Sequence, residues 1–311
     1  MTGKKIAILA TGGTIAGTSP VPGDNLGYTA AQLRVEDLLA SVPALAGVPL
    51  VSEQVAQIDS KDMTFDIWRQ LAQRCSHWLA QPDISGIVIT HGTDTLEETA
   101  FVLQAVLAPV KPVALTCAMR PATALVPDGP QNLLDAVSVA AHPGAQGVIA
   151  VCAGTIHSAR DVRKRHTYRL DAFGSGDAGP VGYVEEGRLR LLRAWPESIG
   201  DAPAALRKFL NAKRWPRVEI VMSHAGAGGA IVQALVAQGV AGIVVAGSGN
   251  GSVHRDLETA LRAARDAGVK VVRSTRCAEG EVLARPADAL PHSAGLSPVK
   301  ARIALMLALL D

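Results

Sequence analysis

The chain has 311 residues, 48% of them hydrophobic, enough length for about two domains and enough apolar mass to fill two cores. Its 30 basic and 28 acidic residues are spread along the sequence and leave a net charge of +2, so no polybasic face marks nucleic acid or anionic lipid, and a small-molecule partner is expected. No apolar run approaches the roughly 20 residues of a membrane span, and the run at 6–10 meets glycine and threonine before a signal-peptide core is complete. Cys75, Cys117, Cys152 and Cys277 lie far apart without C-x-x-C spacing; they read as buried thiols in a reducing, cytoplasmic setting.

The first two thirds of the chain alternate short apolar runs with longer amphipathic ones, the pattern of a parallel sheet flanked by helices. Strands are expected at residues 5–10, 48–57, 86–90, 112–116 and 147–151, with helices between them at about 35–39, 65–79, 96–107 and 131–141. Thr95 and Glu98 have the spacing of a capping box at the start of the third helix. Residues 181–184 and 188–192 flank Glu185-Glu186-Gly187, a hairpin turn that closes an N-terminal domain spanning 1–192. The polar stretch 193–215 reads as a linker with room for a helix at 204–210. A smaller domain, 216–311, follows, with strands at 218–222, 242–246 and 269–273, helices near 230–237 and 257–267, and a last helix opened by Ser297 and Pro298. The fold class is therefore α/β: a large N-terminal parallel-sheet domain joined by a linker to a smaller C-terminal α/β domain.

In open α/β sheets the ligand crevice lies beyond the carboxyl ends of the strands, and here those loops are rich in hydroxyls. They read Thr11-Gly12-Gly13-Thr14, Asp59-Ser60-Lys61-Asp62, His91-Gly92-Thr93-Asp94-Thr95 and Ala118-Met119-Arg120-Pro121. Gly12-Gly13 permits a sharp turn and leaves room beside Thr14, although for that segment alone a plain turn threonine after a buried strand is the better reading. Neither G-x-G-x-x-G nor G-x-x-x-x-G-K-[ST] stands at this turn, which excludes the usual phosphate-binding loops. Thr95 fits the capping position, so Thr93 and Asp94 are left over for another task; their bland alternative is capping itself. Lys164 sits in the charged run Asp161-Val162-Arg163-Lys164-Arg165, whose default reading is a solvated loop. His91 reads as a structural hydrogen-bonding residue rather than a base. The eight histidines show no H-x-x-x-H spacing, so no metal is expected.

Two segments, residues 8–17 (Ile-Leu-Ala-Thr-Gly-Gly-Thr-Ile-Ala-Gly) and 89–100 (Ile-Thr-His-Gly-Thr-Asp-Thr-Leu-Glu-Glu-Thr-Ala), resemble the two signature motifs of bacterial-type L-asparaginases. The resemblance continues in the family's order through Ala118-Met119-Arg120-Pro121, Asp128-Gly129-Pro130, Gly247-Ser248-Gly249-Asn250-Gly251 and Val272-Arg273-Ser274-Thr275-Arg276. It implies an amidohydrolase acting on the side-chain amide of asparagine. Thr14 would be the nucleophile, helped by Tyr28 on a lid, and Thr93, Asp94 and Lys164 a second cluster that relays protons and orients water. Substrate-binding residues by resemblance are Ser60 on the α-carboxylate, Asp94 on the α-ammonium, the segments holding Asp59, Lys61, Thr93 and Ala118, and Asn250 from a neighbouring subunit. A homotetramer built from two intimate dimers is implied, and no cofactor.

The chain departs from the family pattern at two places. Lys61 stands where better-known members carry a glutamine or glutamate that accepts from the substrate ammonium, so a cation faces a cation unless Lys61 turns away or Asp59 neutralises it. The family's neighbouring-subunit glutamate has no clear match in 278–292, where Glu281 and Asp288 are the weak candidates. Competing expectations are a glutaminase-asparaginase or other ω-amidase with the same chemistry, a non-catalytic amino-acid sensor on the same fold, and an amidotransferase subunit, which generally carries an extra N-terminal domain.

Overall fold

The computed structural model describes residues 4–21, 23–197, 202–285 and 290–311. The chain divides into two compact units, residues 1–210 and 211–311. In the first, the elements run β1 (Lys5–Gly12), α1 (Val35–Ala40), β2 (Leu50–Ile58), α2 (Phe65–Leu79), β3 (Ile84–Thr90), α3 (Leu96–Leu107), β4 (Val113–Thr116), α4 (Gly129–Ala141), β5 (Val148–Cys152), β6 (Thr155–Ser158), β7 (Arg163–Lys164), β8 (Phe173–Gly174), β9 (Gly182–Glu185) and β10 (Arg188–Leu191). The expected linker stretch carries α5 (Ala202–Asn211). The second unit contains β11 (Val218–Met222), α6 (Ala230–Ala237), β12 (Gly242–Gly247), α7 (Arg255–Asp266), β13 (Lys270–Thr275) and α8 (Pro298–Ala308).

The large sheet has the order β10-β9-β6-β5-β4-β3-β1-β2. Its β2, β1, β3, β4 and β5 are mutually parallel, as the apolar runs predict, and these strands are joined through helices. The antiparallel additions β6, β9 and β10 extend the sheet beyond β5, so the sheet is mixed rather than purely parallel. β6, with the sequence Thr-Ile-His-Ser, is a strand the hydropathy pattern does not announce; His157 in it is nevertheless buried and satisfied by Ser175 Oγ at 2.8 Å. Strands β1 and β3 are buried almost throughout, because helices cover both faces of the sheet. Helix α2 shows why the periodicity is readable: Trp68, Leu71, Ala72 and Cys75 form its buried stripe, and Thr64 Oγ1 caps it by accepting from Ile67 N.

The small sheet, in the order β11-β12-β13, is parallel. Ser297 caps α8 through Lys300 N, with Pro298 at its first position. Two local expectations need correction. Thr95 occupies the N-cap position of α3, but its side chain makes no cap bond; the hydroxyl donates instead to Ser60 O at 2.7 Å. Cys75, Cys117 and Cys152 are buried free thiols as expected, whereas Cys277 is exposed. No described helix is long and apolar enough to cross a membrane.

Candidate active site

The carboxyl ends of β1, β2 and β3 meet within a few residues of one another. β1 shifts register between Ala10 and Gly12, and Thr11 Oγ1 donates to Thr90 O at 2.9 Å, tying the ends of β1 and β3. Gly13 follows at φ +82°; a Cβ there would overlap the Gly92 backbone and stand 2.8 Å from the His91 carbonyl carbon. On Gly92 a Cβ would stand 2.7 Å from Ser60 Cβ and 3.1 Å from Gly13 Cα. Gly13 and Gly92 therefore touch backbone to backbone, with the Ser60 side chain against Gly92, a proximity only glycine permits. Thr14 and Thr93 are the residues that follow these two touching glycines, and both are buried.

Each threonine has its own partner. Thr14 Oγ1 lies 2.7 Å from Tyr28 Oη, and the Tyr28 ring lies against Gly17, where a Cβ would come within 2.8 Å of the ring edge. The segment carrying Tyr28 is closed on itself by the Thr18–Thr29 bridge. Thr93 Oγ1 accepts from Lys164 Nζ at 2.7 Å, and the same ammonium reaches Asp94 Oδ1 at 2.6 Å. Lys164 is thus not the solvated lysine its charged run suggests. It is the end of the two-residue β7–β8 ladder, paired with Phe173, and its own N–H donates to Glu97 Oε2 at 3.2 Å on the first turn of α3. Glu97 is a contact of Lys164 that sequence reasoning missed; an acidic side chain in a first helical turn reads simply as a favourable dipole partner.

Ser60 closes the third side. It is buried, and its Oγ accepts from Asp94 N at 3.1 Å while its carbonyl accepts from Thr95. Its own hydroxyl hydrogen is left to donate. Lys61 turns onto Asp59 Oδ2 at 2.5 Å and lies 3.7 Å from Asp62; the hydrogen bond to Asp59 raises its pKa, so it stays an ammonium. Ala118 packs its methyl into a small cluster with Ile15, Ala16 and Leu38. The loop it begins is held by Asp128, whose carboxylate accepts from Met119 N and Arg120 N at 2.9 Å each, and by Asn132, which donates to Cys117 O. Asn250 lies in the second unit, where both ends of its amide bond Leu283: Nδ2 to the carbonyl at 3.1 Å, and Oδ1 from the N–H at 2.7 Å. Glu281 is exposed, and Asp288 lies outside the described residues.

Beneath the β3 loop, His91 is fully buried, and that burial lowers its pKa to about 4. It is neutral at ordinary pH and unsuited to acid–base work in water. The N–H groups of Thr14 and Thr93 have no acceptor among the described residues. Unpaired donors at two buried positions are costly unless something negative arrives to meet them.

Backbone donors on two buried threonines, two differently partnered threonine hydroxyls and a lysine–carboxylate pair thus gather beyond the carboxyl ends of β1, β2 and β3 of this α/β protein. Residues 5–197 match the family model described as "Asparaginase, N-terminal", and residues 217–311 that described as "Glutaminase/Asparaginase C-terminal domain"; the chain belongs to the asparaginase–glutaminase family. It is 40% identical over 310 residues to "L-asparaginase 2" of Bacillus subtilis, covering 98% of this chain and 82% of that protein. It is 38% identical over 320 residues to the "Glutaminase-asparaginase" of Pseudomonas fluorescens, covering 98% and 86%. The crystal structure of the "Probable Cytoplasmic L-asparaginase" from Campylobacter jejuni matches with a TM-score of 0.89 at 38% identity, over 98% of this chain and 95% of that one.

Proposed function

We propose that this chain hydrolyses the side-chain amide of L-asparagine to L-aspartate and ammonia through an acyl-enzyme on Thr14. The observation that carries the reading is the backbone contact of Gly13 with Gly92, which sets the Tyr28-bonded hydroxyl and the Lys164-bonded hydroxyl on adjoining loops. Thr14 Oγ attacks the amide carbon as its proton passes to the Tyr28 oxygen, whose own hydrogen is relayed toward the amide nitrogen. The tetrahedral intermediate then collapses, and the C–N bond breaks as the nitrogen takes up a proton and leaves as ammonia. Water, oriented and deprotonated by the Thr93–Asp94–Lys164 cluster, cleaves the resulting ester, releases the β-carboxylate and restores the threonine. The Thr14 and Thr93 N–H groups meet the oxyanion in both steps.

Substrate recognition follows from the charged amino-acid backbone. Ser60 donates its remaining hydrogen to the α-carboxylate, and Asp94, which keeps one carboxylate oxygen beyond the Lys164 bond, accepts from the α-ammonium. Asp59 holds Lys61 off that ammonium. On this reading the chemistry resides in the N-terminal domain, 193–215 connects it to the smaller one, and Asn250 completes the site of a neighbouring subunit in a homotetramer. The buried free thiols fit a cytoplasmic location. Ammonia release from L-Asn, L-Gln and D-Asn, with native protein and with Thr14→Ala, tests the assignment; an acyl adduct trapped on any residue other than Thr14 refutes it. Glutaminase-asparaginase activity is the second reading, favoured by the Pseudomonas relative, and equal turnover of L-Gln selects it. Asparagine binding without ammonia release points instead to a sensor.

A further inference from the structure

Behind Thr93 runs a chain of hydrogen bonds whose directions are all forced. His91 Nδ1 lies 2.7 Å from Gly92 O; a carbonyl only accepts, so Nδ1 carries the hydrogen. The ring is neutral, so Nε2 is bare, and the Thr99 hydroxyl 2.9 Å away must donate to it. Having used its one hydrogen, the Thr99 oxygen accepts from Trp68 Nε1, a group that can only donate, at 2.8 Å. His91 and Thr99 are fully buried and Trp68 nearly so, with the donor end on α2 and the middle on α3. A single consistent polarity thus runs from Trp68 to the Gly92 carbonyl.

That carbonyl belongs to the peptide joining Gly92 to Thr93. A trans peptide is planar, so fixing the C=O direction fixes the N–H direction opposite it. The Gly92 carbonyl points toward the buried imidazole, so the Thr93 N–H points away from the core, and it has no acceptor among the described residues. We propose that His91, held by Thr99 and Trp68, is a positioning residue that aims the Thr93 N–H at the oxyanion formed during turnover. The proposal rests on the reading of Thr14 as nucleophile with Thr93 beside it. It adds a role to three residues that never touch substrate.

The test compares Thr99→Val, which keeps the shape and removes the hydroxyl, with Thr99→Ser, which restores it. Losing an entire oxyanion donor costs about 100- to 1,000-fold in kcat; loosening its aim should cost part of that. Thr99→Val is expected to lower kcat for L-Asn about tenfold while KM moves less than about threefold, because the oxyanion exists only after attack. Thr99→Ser should recover kcat to within about twofold of native, which mere packing damage would not allow. A folded Thr99→Val with native kcat, or one whose loss lies in KM, overturns the proposal. If Thr99→Val fails to fold, Trp68→Phe carries the test. A fall in kcat of about threefold at constant KM supports the relay, and native kcat sinks it. Loss of the underlying reading is recognised separately, since Thr14→Ala would then retain turnover.

Discussion

Replacing Lys164 by methionine separates what the lysine does for folding from what it does for turnover. Its ammonium lies 2.6 Å from Asp94 Oδ1; Lys164 is only 20% exposed but its partner is 52% exposed, so water screens the pair and it contributes about 0–1 kcal/mol to stability. Methionine fills most of the same volume, and the backbone bond from Lys164 N to Glu97 remains. The melting temperature should therefore fall by no more than about 4 °C. Turnover should respond on another scale. The change removes the only cation bonded to the Thr93 hydroxyl among the described residues, and loss of a positioned acid–base group costs about 100- to 10,000-fold, or about 2.7 to 5.4 kcal/mol of barrier. Ammonia release at saturating L-Asn, alongside thermal denaturation, measures both quantities. Lys164→Arg distinguishes proton transfer from charge alone: a guanidinium keeps the charge but does not release its proton, so it should restore little of kcat. If Lys164→Met keeps kcat within tenfold of native, or Lys164→Arg behaves as native, the lysine moves no proton in this reaction.

Gly92→Ala should destabilise the protein by about 1–3 kcal/mol and abolish activity, because its methyl would stand 2.7 Å from Ser60 Cβ and force the two loops apart; a soluble variant with native melting and kcat would contradict the packed contact. Asp59→Asn leaves Lys61 only its longer pair with Asp62 and should raise KM for L-Asn several-fold with little change in kcat, and adding Lys61→Gln should reverse the rise; an unchanged KM in the single variant would place Lys61 outside the substrate's field. Burial depresses the His91 pKa from 6.5 to about 4, so the unfolded chain takes up the proton first and protonation favours unfolding. The stabilisation is complete above about pH 6.5 and is lost as pH falls toward 4, amounting to roughly 3 kcal/mol. Urea denaturation at pH 7 and pH 4.5 checks it, and a His91→Asn variant with the same pH dependence as native would show that other groups carry the effect.

Strands β1, β3, β4 and β5 were legible because each is a short apolar run, and a strand buried on both faces has no polar alternation to confuse it. Strand β6 was not, because His157 and Ser158 are buried with hydrogen-bond partners, and hydropathy cannot distinguish a satisfied polar side chain from an exposed one. Lys164 was hidden for a related reason. A two-residue ladder is too short to leave a period, and Arg163 and Arg165 around it make a run that reads as solvent-facing. Thr95 shows the limit of local motifs: its spacing to Glu98 is that of a capping box, but a carbonyl 35 positions away, on Ser60, takes its hydroxyl. Tyr28 lies in a segment without periodicity, and only the family resemblance singled it out.

These contacts divide the site into halves of unequal constraint. The Thr93 half is fixed from four directions: Lys164 on its hydroxyl, Ser60 on the next N–H, Gly13 against its preceding glycine, and His91 on the carbonyl behind it. Among the described residues the Thr14 side chain has one bond, to Tyr28, whose segment is clasped by the Thr18–Thr29 bridge and by Ser19 N on Thr123 Oγ1 and presents Leu26 at 79% exposure. Precise aim is demanded of donors that must meet a charge at a fixed point, whereas a nucleophile must change partner during the reaction, giving up its proton and accepting an acyl group. On the proposed reading, rigidity is concentrated around the Thr93 N–H, one of the two oxyanion donors, and the looser clasp lies at the side chain of the nucleophile. Perturbations of the Tyr28 segment should accordingly alter turnover with little change in global stability, while substitutions that disturb the Gly92 peptide should alter both.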